Sequence, residues 1–226
     1  MSVFYSPSVA DSGLASYFDA GNKLSYIGSG TTWSDMIGDN DGTATNGPVF
    51  STDNKGSFSF DGTDDHFNCG ADASLSAISS AITVSAWIKI PNTDRGDIVS
   101  QWAGTGTRHF LLTHSLTTGK LEFYISTNGV GFDSSGTSST SLETDTWYNV
   151  CGRYNGANIS CHINGVLESE ASQTGLMFGA SSTPVLIGAS NTNYFEGNIA
   201  NVKIYNRALT DDELFSNYLS LAGRFS

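Results

Sequence analysis

Apolar residues recur at every second position along most of the chain. In AITVSAWIKI, Ile82, Val84, Ala86, Ile88 and Ile90 fall on one face of an extended segment, and Thr83, Ser85, Trp87 and Lys89 on the other. That alternation predicts a half-buried β-strand. SFSFD repeats it with Phe58 and Phe60, and GKLEFYIST with Leu121, Phe123 and Ile125. WYNVCGRY and ISCHINGVLE read as a hairpin around YNGAN; PVLIGAS and GNIANVKIYN follow, the latter with Ile199, Val202 and Ile204 inward. The clusters TNGPVF, DGTDD, GTGT, SLTTGK and DSSGTSSTS are rich in residues that tolerate turn geometry. They are predicted as connections, with 133–141 a long surface loop. No alternation of strand and helix patterns appears, so the sheets are expected to be antiparallel and the fold all-β.

One segment breaks the period. In RALTDDELFSNYLSLAG, Thr210 precedes Glu213 by the spacing of a capping box, and Asp211 and Asp212 suit the positive end of a helix. A single short C-terminal helix is predicted from there, with Leu214, Phe215, Tyr218 and Leu219 as its apolar stripe.

Length and charge narrow the possibilities. The 226 residues suit one large domain, and no linker of domain scale interrupts them. We expect an N-terminal arm over 1–12 and one domain over 13–226. With 10 Lys and Arg against 22 Asp and Glu, the net charge of -12 repels nucleic acid and anionic lipid. No run of about 18 apolar residues is present, and Met1 to Ser12 carry no signal-peptide pattern. Synthesis in a cytoplasm without membrane insertion is the resulting expectation. Cys151 and Cys161 are close in sequence, but Cys151 alternates with the apolar set Val150, Gly152 and Tyr154, whereas Cys161 shares a face with Ile159 and Ile163. Their thiols are predicted to point to opposite faces of the hairpin and, with Cys69, to stay reduced.

In order, FDGTDDHFNCG, ITVSAWIK, TWYNVCGRYNG with ISCHINGVLE, LIGAS, and FEGNIANVKIYNRALTDDEL resemble the concanavalin A-like family of laminin-G-like jelly rolls over about residues 13 to 219. The opening GLASYFDAGNKLSYIGSGTTWSDMIGDNDGTATNGPVF is similar to such domains in bacteriophage virion surface proteins. The resemblance implies a two-sheet antiparallel jelly-roll β-sandwich, a fold used for glycan binding and adhesion and occasionally holding structural calcium. Fold alone does not fix function.

Three chemistries are open on this frame. Sugar binding calls for exposed aromatic faces flanked by polar groups. Trp87 and Tyr124 lie on the polar sides of their strands, and Trp102 and Tyr194, with Trp33 and Phe195, are further candidates. Trp147 reads as core. The alternative for Trp87 is that the C-terminal helix covers it. Calcium could sit at Asp61, Asp64 and Asp65 in a Gly-containing turn; the competing reading is an Asx turn whose carboxylates bond local N–H groups. Asp39 and Asp41 form a lesser cluster of the same kind. Catalysis has the least support. Glu168 with Glu170, and Glu143 with Asp145, lack the third acid of the family's glucanase strand, and His66, His109, His114 and His162 lie in no catalytic motif. The expectation is a non-enzymatic virion decoration or fibre protein that adheres to host-surface glycans. It would contact other virion proteins through its N-terminal arm in an oligomeric assembly. A purely structural cement protein and a glycoside hydrolase remain the alternatives.

Overall fold

The computed structural model describes residues 7–94, 96–116, 118–179, 182–191 and 193–225, Ser134 by its backbone alone. In chain order its strands are β1 (Leu14–Asp19), β2 (Thr32–Trp33), β3 (Gly42–Thr45), β4 (Val49–Ser51), β5 (Ser57–Asp61), β6 (His66–Asn68), β7 (Ile82–Lys89), β8 (Gly96–Trp102), β9 (Arg108–His114), β10 (Lys120–Ile125), β11 (Ser134–Ser141), β12 (Trp147–Tyr154), β13 (Asn158–Ile163), β14 (Val166–Ser172), β15 (Leu186–Ile187) and β16 (Glu196–Tyr205). A single turn of helix, α1 (Ala73–Ser76), and a longer one, α2 (Asp211–Ala222), complete it.

The strands form two antiparallel sheets. One runs β14-β13-β12-β7-β16-β5-β4, with β1 also paired to β16; the other runs β11-β10-β9-β8-β15-β6-β3-β2. Their inner faces carry the predicted set: Ile82, Val84, Ala86, Ile88, Phe58, Phe60, Val202 and Ile204 from the first, Leu121, Phe123 and Ile125 from the second. Phe123 lies so close to Gly152 of the opposite sheet that a Cβ there would come within 2.1 Å of its ring, which explains the glycine inside β12. Trp33, proposed from sequence as a sugar platform, is instead core. Its ring packs against Phe18, Phe58 and Phe67 at centroid distances of 5.5, 4.8 and 5.1 Å. Phe195 is likewise fully buried.

Two other expectations change. Residues 134–141 form β11, an edge strand beside β10, although their Ser and Thr content reads as loop. Backbone pairing and a tie to the other sheet hold them: Ser139 Oγ and Thr140 N both donate to Glu168 Oε2 of β14. The polar face of β7 is also buried, because α2 and the chain's end cover it. Trp87, expected as a stacking platform, is 2% exposed. Its indole lies 4.2 Å from the ring of Phe225 and 5.6 Å from that of Tyr218, both nearly parallel to it. Phe225 also packs on half-buried Trp147 at 4.7 Å.

The capping box forms as predicted. Glu213 N donates to Thr210 Oγ1 and Thr210 N to Glu213 Oε2. The buried stripe is rotated from the prediction, however. Leu214 and Asn217 are buried while Phe215 and Leu219 are exposed. Asn217 faces inward because the first described residues pass over α2: Ala10 N donates to Asn217 Oδ1, Asn217 Nδ2 donates to Tyr205 Oη, and Tyr205 Oη donates to Ala10 O. Ser216 Oγ donates to Ser8 O and Arg207 Nε to Ser12 O. Thus 8–12 of the expected arm dock on their own domain, while 1–6 lie outside the described residues. Arg224 fastens the other end, pairing with Asp19 at 2.7 Å and donating to Asn54 O and Gly56 O. All three cysteines are free and buried. Cys161 lies in the inter-sheet core and Cys151 in the cluster beneath α2, as the alternation predicts.

Candidate functional site

The outward face of the second sheet differs from that of the first. Strand register sets Ser100 opposite Leu111, Leu111 opposite Tyr124, and Trp102 opposite Arg108. Leu111, Tyr124, Trp102 and Arg108 floor a cleft of about 290 Å³. One wall is the connection after β15. There, Ser100 Oγ donates to Ala189 O, and a bridge between Ala189 and Tyr194 with a Ser190 N to Asn193 O bond closes a tight turn. That turn brings Ser190, Asn191 and Asn193 to the cleft. The other wall is the β10–β11 connection, where Asn128 Oδ1 accepts from Val130 N and Gly131 N, presenting Phe132 with its ring 5.0 Å from that of Tyr124.

The polar groups are positioned from below. Asp97 is fully buried at the cleft's base, and Asn193 Nδ2 donates to its Oδ2. Tyr124 Oη donates to Glu122 Oε2, which fixes the ring's tilt. The Arg108 guanidinium lies 5.4 Å from the Trp102 ring centroid, and its Nη1 donates to Val130 O. Aromatic faces, amides and a guanidinium thus converge on one concave surface, the arrangement that recognises a ring with apolar C–H faces and polar edges.

Of the six aromatic candidates, Trp102 and Tyr124 line this cleft. Tyr194 lies beside it in sequence but turns away, its ring 6.2 Å from that of His66. Trp87 belongs to the opposite sheet and is covered. Arg108, Asp97, Phe132, Asn191 and Asn193 escaped the sequence reading. The register that pairs Trp102 with Arg108 needs β8 and β9, whose apolar runs IV and FLL do not alternate; Phe132 stands alone in a turn.

The acidic turn between β5 and β6 brings its carboxylates within 4.8 Å of one another. Asp61 Oδ1 accepts from Thr63 N at 2.8 Å and Asp65 Oδ2 from Asp61 N at 3.2 Å, so the Asx-turn bonds form. The backbone N–H groups of the turn, Thr63 foremost and then Asp64 and Asp65, lower the Asp61 pKa; burial and then the Asp61 charge raise that of Asp65. The remaining carboxylate oxygens suit a hard cation in their chemistry. Of the acids weighed for hydrolysis, Glu168 holds β11 and Glu170 lies 3.8 Å from Arg153. His109 and His162 are buried, burial lowering both to about 4.

A family profile described as the concanavalin A-like lectin/glucanases superfamily matches residues 61–215. The chain belongs to this superfamily. Solved structures of similar shape include Trypanosoma rangeli sialidase in complex with the inhibitor DANA (TM-score 0.67, 14% identity, 97% of this chain and 34% of that one). Another is domain 4 of AbnA, a GH43 extracellular arabinanase from Geobacillus stearothermophilus, in complex with arabinotriose (TM-score 0.68, 16% identity, 91% and 98%). A third is the receptor binding domain of botulinum neurotoxin C/D mosaic serotype (TM-score 0.67, 16% identity, 92% and 51%). The chain spans about a third of the sialidase's length. At these identities the likeness is one of fold. No curated protein matches the sequence. The superfamily model begins at Asp61, so β1 to β4 lie outside the match.

Proposed function

We propose that this superfamily member is a non-enzymatic glycan-binding module whose binding site is the Trp102–Tyr124 cleft. The observation that carries the reading is the convergence of Trp102, Tyr124 and Phe132 with Asn191 and Asn193 on the outward face of the second sheet. A stacking platform supplies affinity through apolar contact and the amides supply orientation. Binding without hydrolysis is favoured because a glycosidase pair needs two facing carboxyl groups, and Asp97 is the one carboxylate among the described residues lining the cleft. Domain 4 of AbnA, of nearly the same extent and shape, holds arabinotriose, which lends the reading a precedent in fold.

On this reading the chain acts on the outside of a bacteriophage particle, in an oligomeric assembly whose virion contacts involve the N-terminal arm, 1–12. The resemblance of the opening residues supports that setting. Calcium at Asp61, Asp64 and Asp65 belongs to the same reading. The decisive experiment is retention on a glycan array. Wild-type protein is expected to be retained, and Trp102→Ala and Tyr124→Ala each to weaken retention about tenfold or more, equivalent to about 1.4 kcal/mol. Silence of the folded wild type across the array would refute it.

A further inference from the structure

Arginines in this acid-rich chain find acids. Arg153 bonds Asp211 at 2.7 Å, Arg207 bonds Glu213 at 2.6 Å and Arg224 bonds Asp19 at 2.7 Å. Arg108 is the exception among the described residues. Among the described residues no carboxylate lies within ion-pair distance of it; its Nη1 bonds Val130 O, and its Nε is buried without a described hydrogen-bond partner. The Trp102 ring takes up part of its charge. With 22 acids against 10 bases, an unpaired guanidinium lining the cleft stands out. The one acid in the described lining, Asp97, is fully buried at the cleft's base and accepts from Asn193.

We infer that the cleft takes an acidic sugar, one bearing a carboxylate, and that Arg108 recognises that carboxylate while Trp102 and Tyr124 hold the pyranose face. This rests on the glycan-binding reading above. A planar guanidinium matches a planar carboxylate through parallel N–H bonds, which an ammonium does not reproduce. The net charge of -12 does not oppose this at contact range, since fields of surface charges are screened beyond about 8 Å at physiological salt.

The test is isothermal titration of the folded protein with trigalacturonate, a glucuronate-containing trisaccharide, and the methyl ester of each. At least one acid is expected to bind ten times more tightly than its ester. Arg108→Gln should abolish that preference, bringing the ratio of acid to ester affinity to about one, and Arg108→Lys should restore only part of it. Because Arg108 also bonds Val130 O, the melting temperature of each variant is read alongside, and Arg108→Lys carries the test if Arg108→Gln unfolds. Equal binding of acid and ester, a preference that survives Arg108→Gln, or binding confined to neutral oligosaccharides would overturn the inference while leaving the glycan-binding reading intact. No binding to any sugar would overturn both.

Discussion

Removing the Trp87 indole takes away a ring stacked between Phe225 and Tyr218. Trp87→Ala is expected to cost about 3–5 kcal/mol in urea unfolding, the range for a large buried aromatic, and to leave sugar retention by the folded fraction unchanged. Loss of retention without loss of stability would contradict its placement. His109 and His162 make a second prediction at this scale. Burial holds each near pKa 4 in the folded chain, against 6.5 when unfolded, with Arg153 also lowering His162. Below pH 6.5 the unfolded chain gains protons that the folded chain refuses, so stability falls as pH drops toward 4, by up to about 3 kcal/mol for each residue. Between pH 6.5 and 5 unperturbed carboxylates hardly titrate, so a falling urea midpoint there reports the histidines. His162→Gln should make the fall shallower.

At the scale of elements, α2 and the strands β7, β10, β12 and β16 were legible because each carries a period of its own, and Thr210 with Glu213 marks where the helix begins. Thr210→Ala is expected to cost about 1 kcal/mol, read as a lower thermal midpoint. The helix's buried face was not legible. It is set by Ser8 and Ala10, which turn Asn217 inward. β11 was hidden for a related reason, since Ser and Thr at a sheet edge are held by pairing to β10 and by Glu168. Residue types named two of the site's three aromatics, Trp102 and Tyr124; Phe132 and the polar groups depend on register and on two turns. In the β12–β13 hairpin, parity forecasts separated thiols. Unfolded, unreduced protein should release three thiols to a colorimetric reagent, whereas native protein should react slowly, because burial pushes the Cys151 thiol up to about 12. At the β5–β6 turn, millimolar calcium is expected to raise the melting temperature and a chelator to reverse it, with Asp64→Ala abolishing the response. An identical melting curve in both conditions would remove calcium from the proposal.

Across the whole molecule, the sandwich has two unlike outer surfaces. One is closed by α2, Trp87 and both described chain ends, Ser8 on the helix and Phe225 on the indole. The other bears the cleft. Anything fastened at Ser8 or at Phe225, whether a bead, a sensor surface or a larger particle, therefore attaches on the sheet opposite the one that carries Trp102. Held there, many copies side by side would all turn the same aromatic face to the medium.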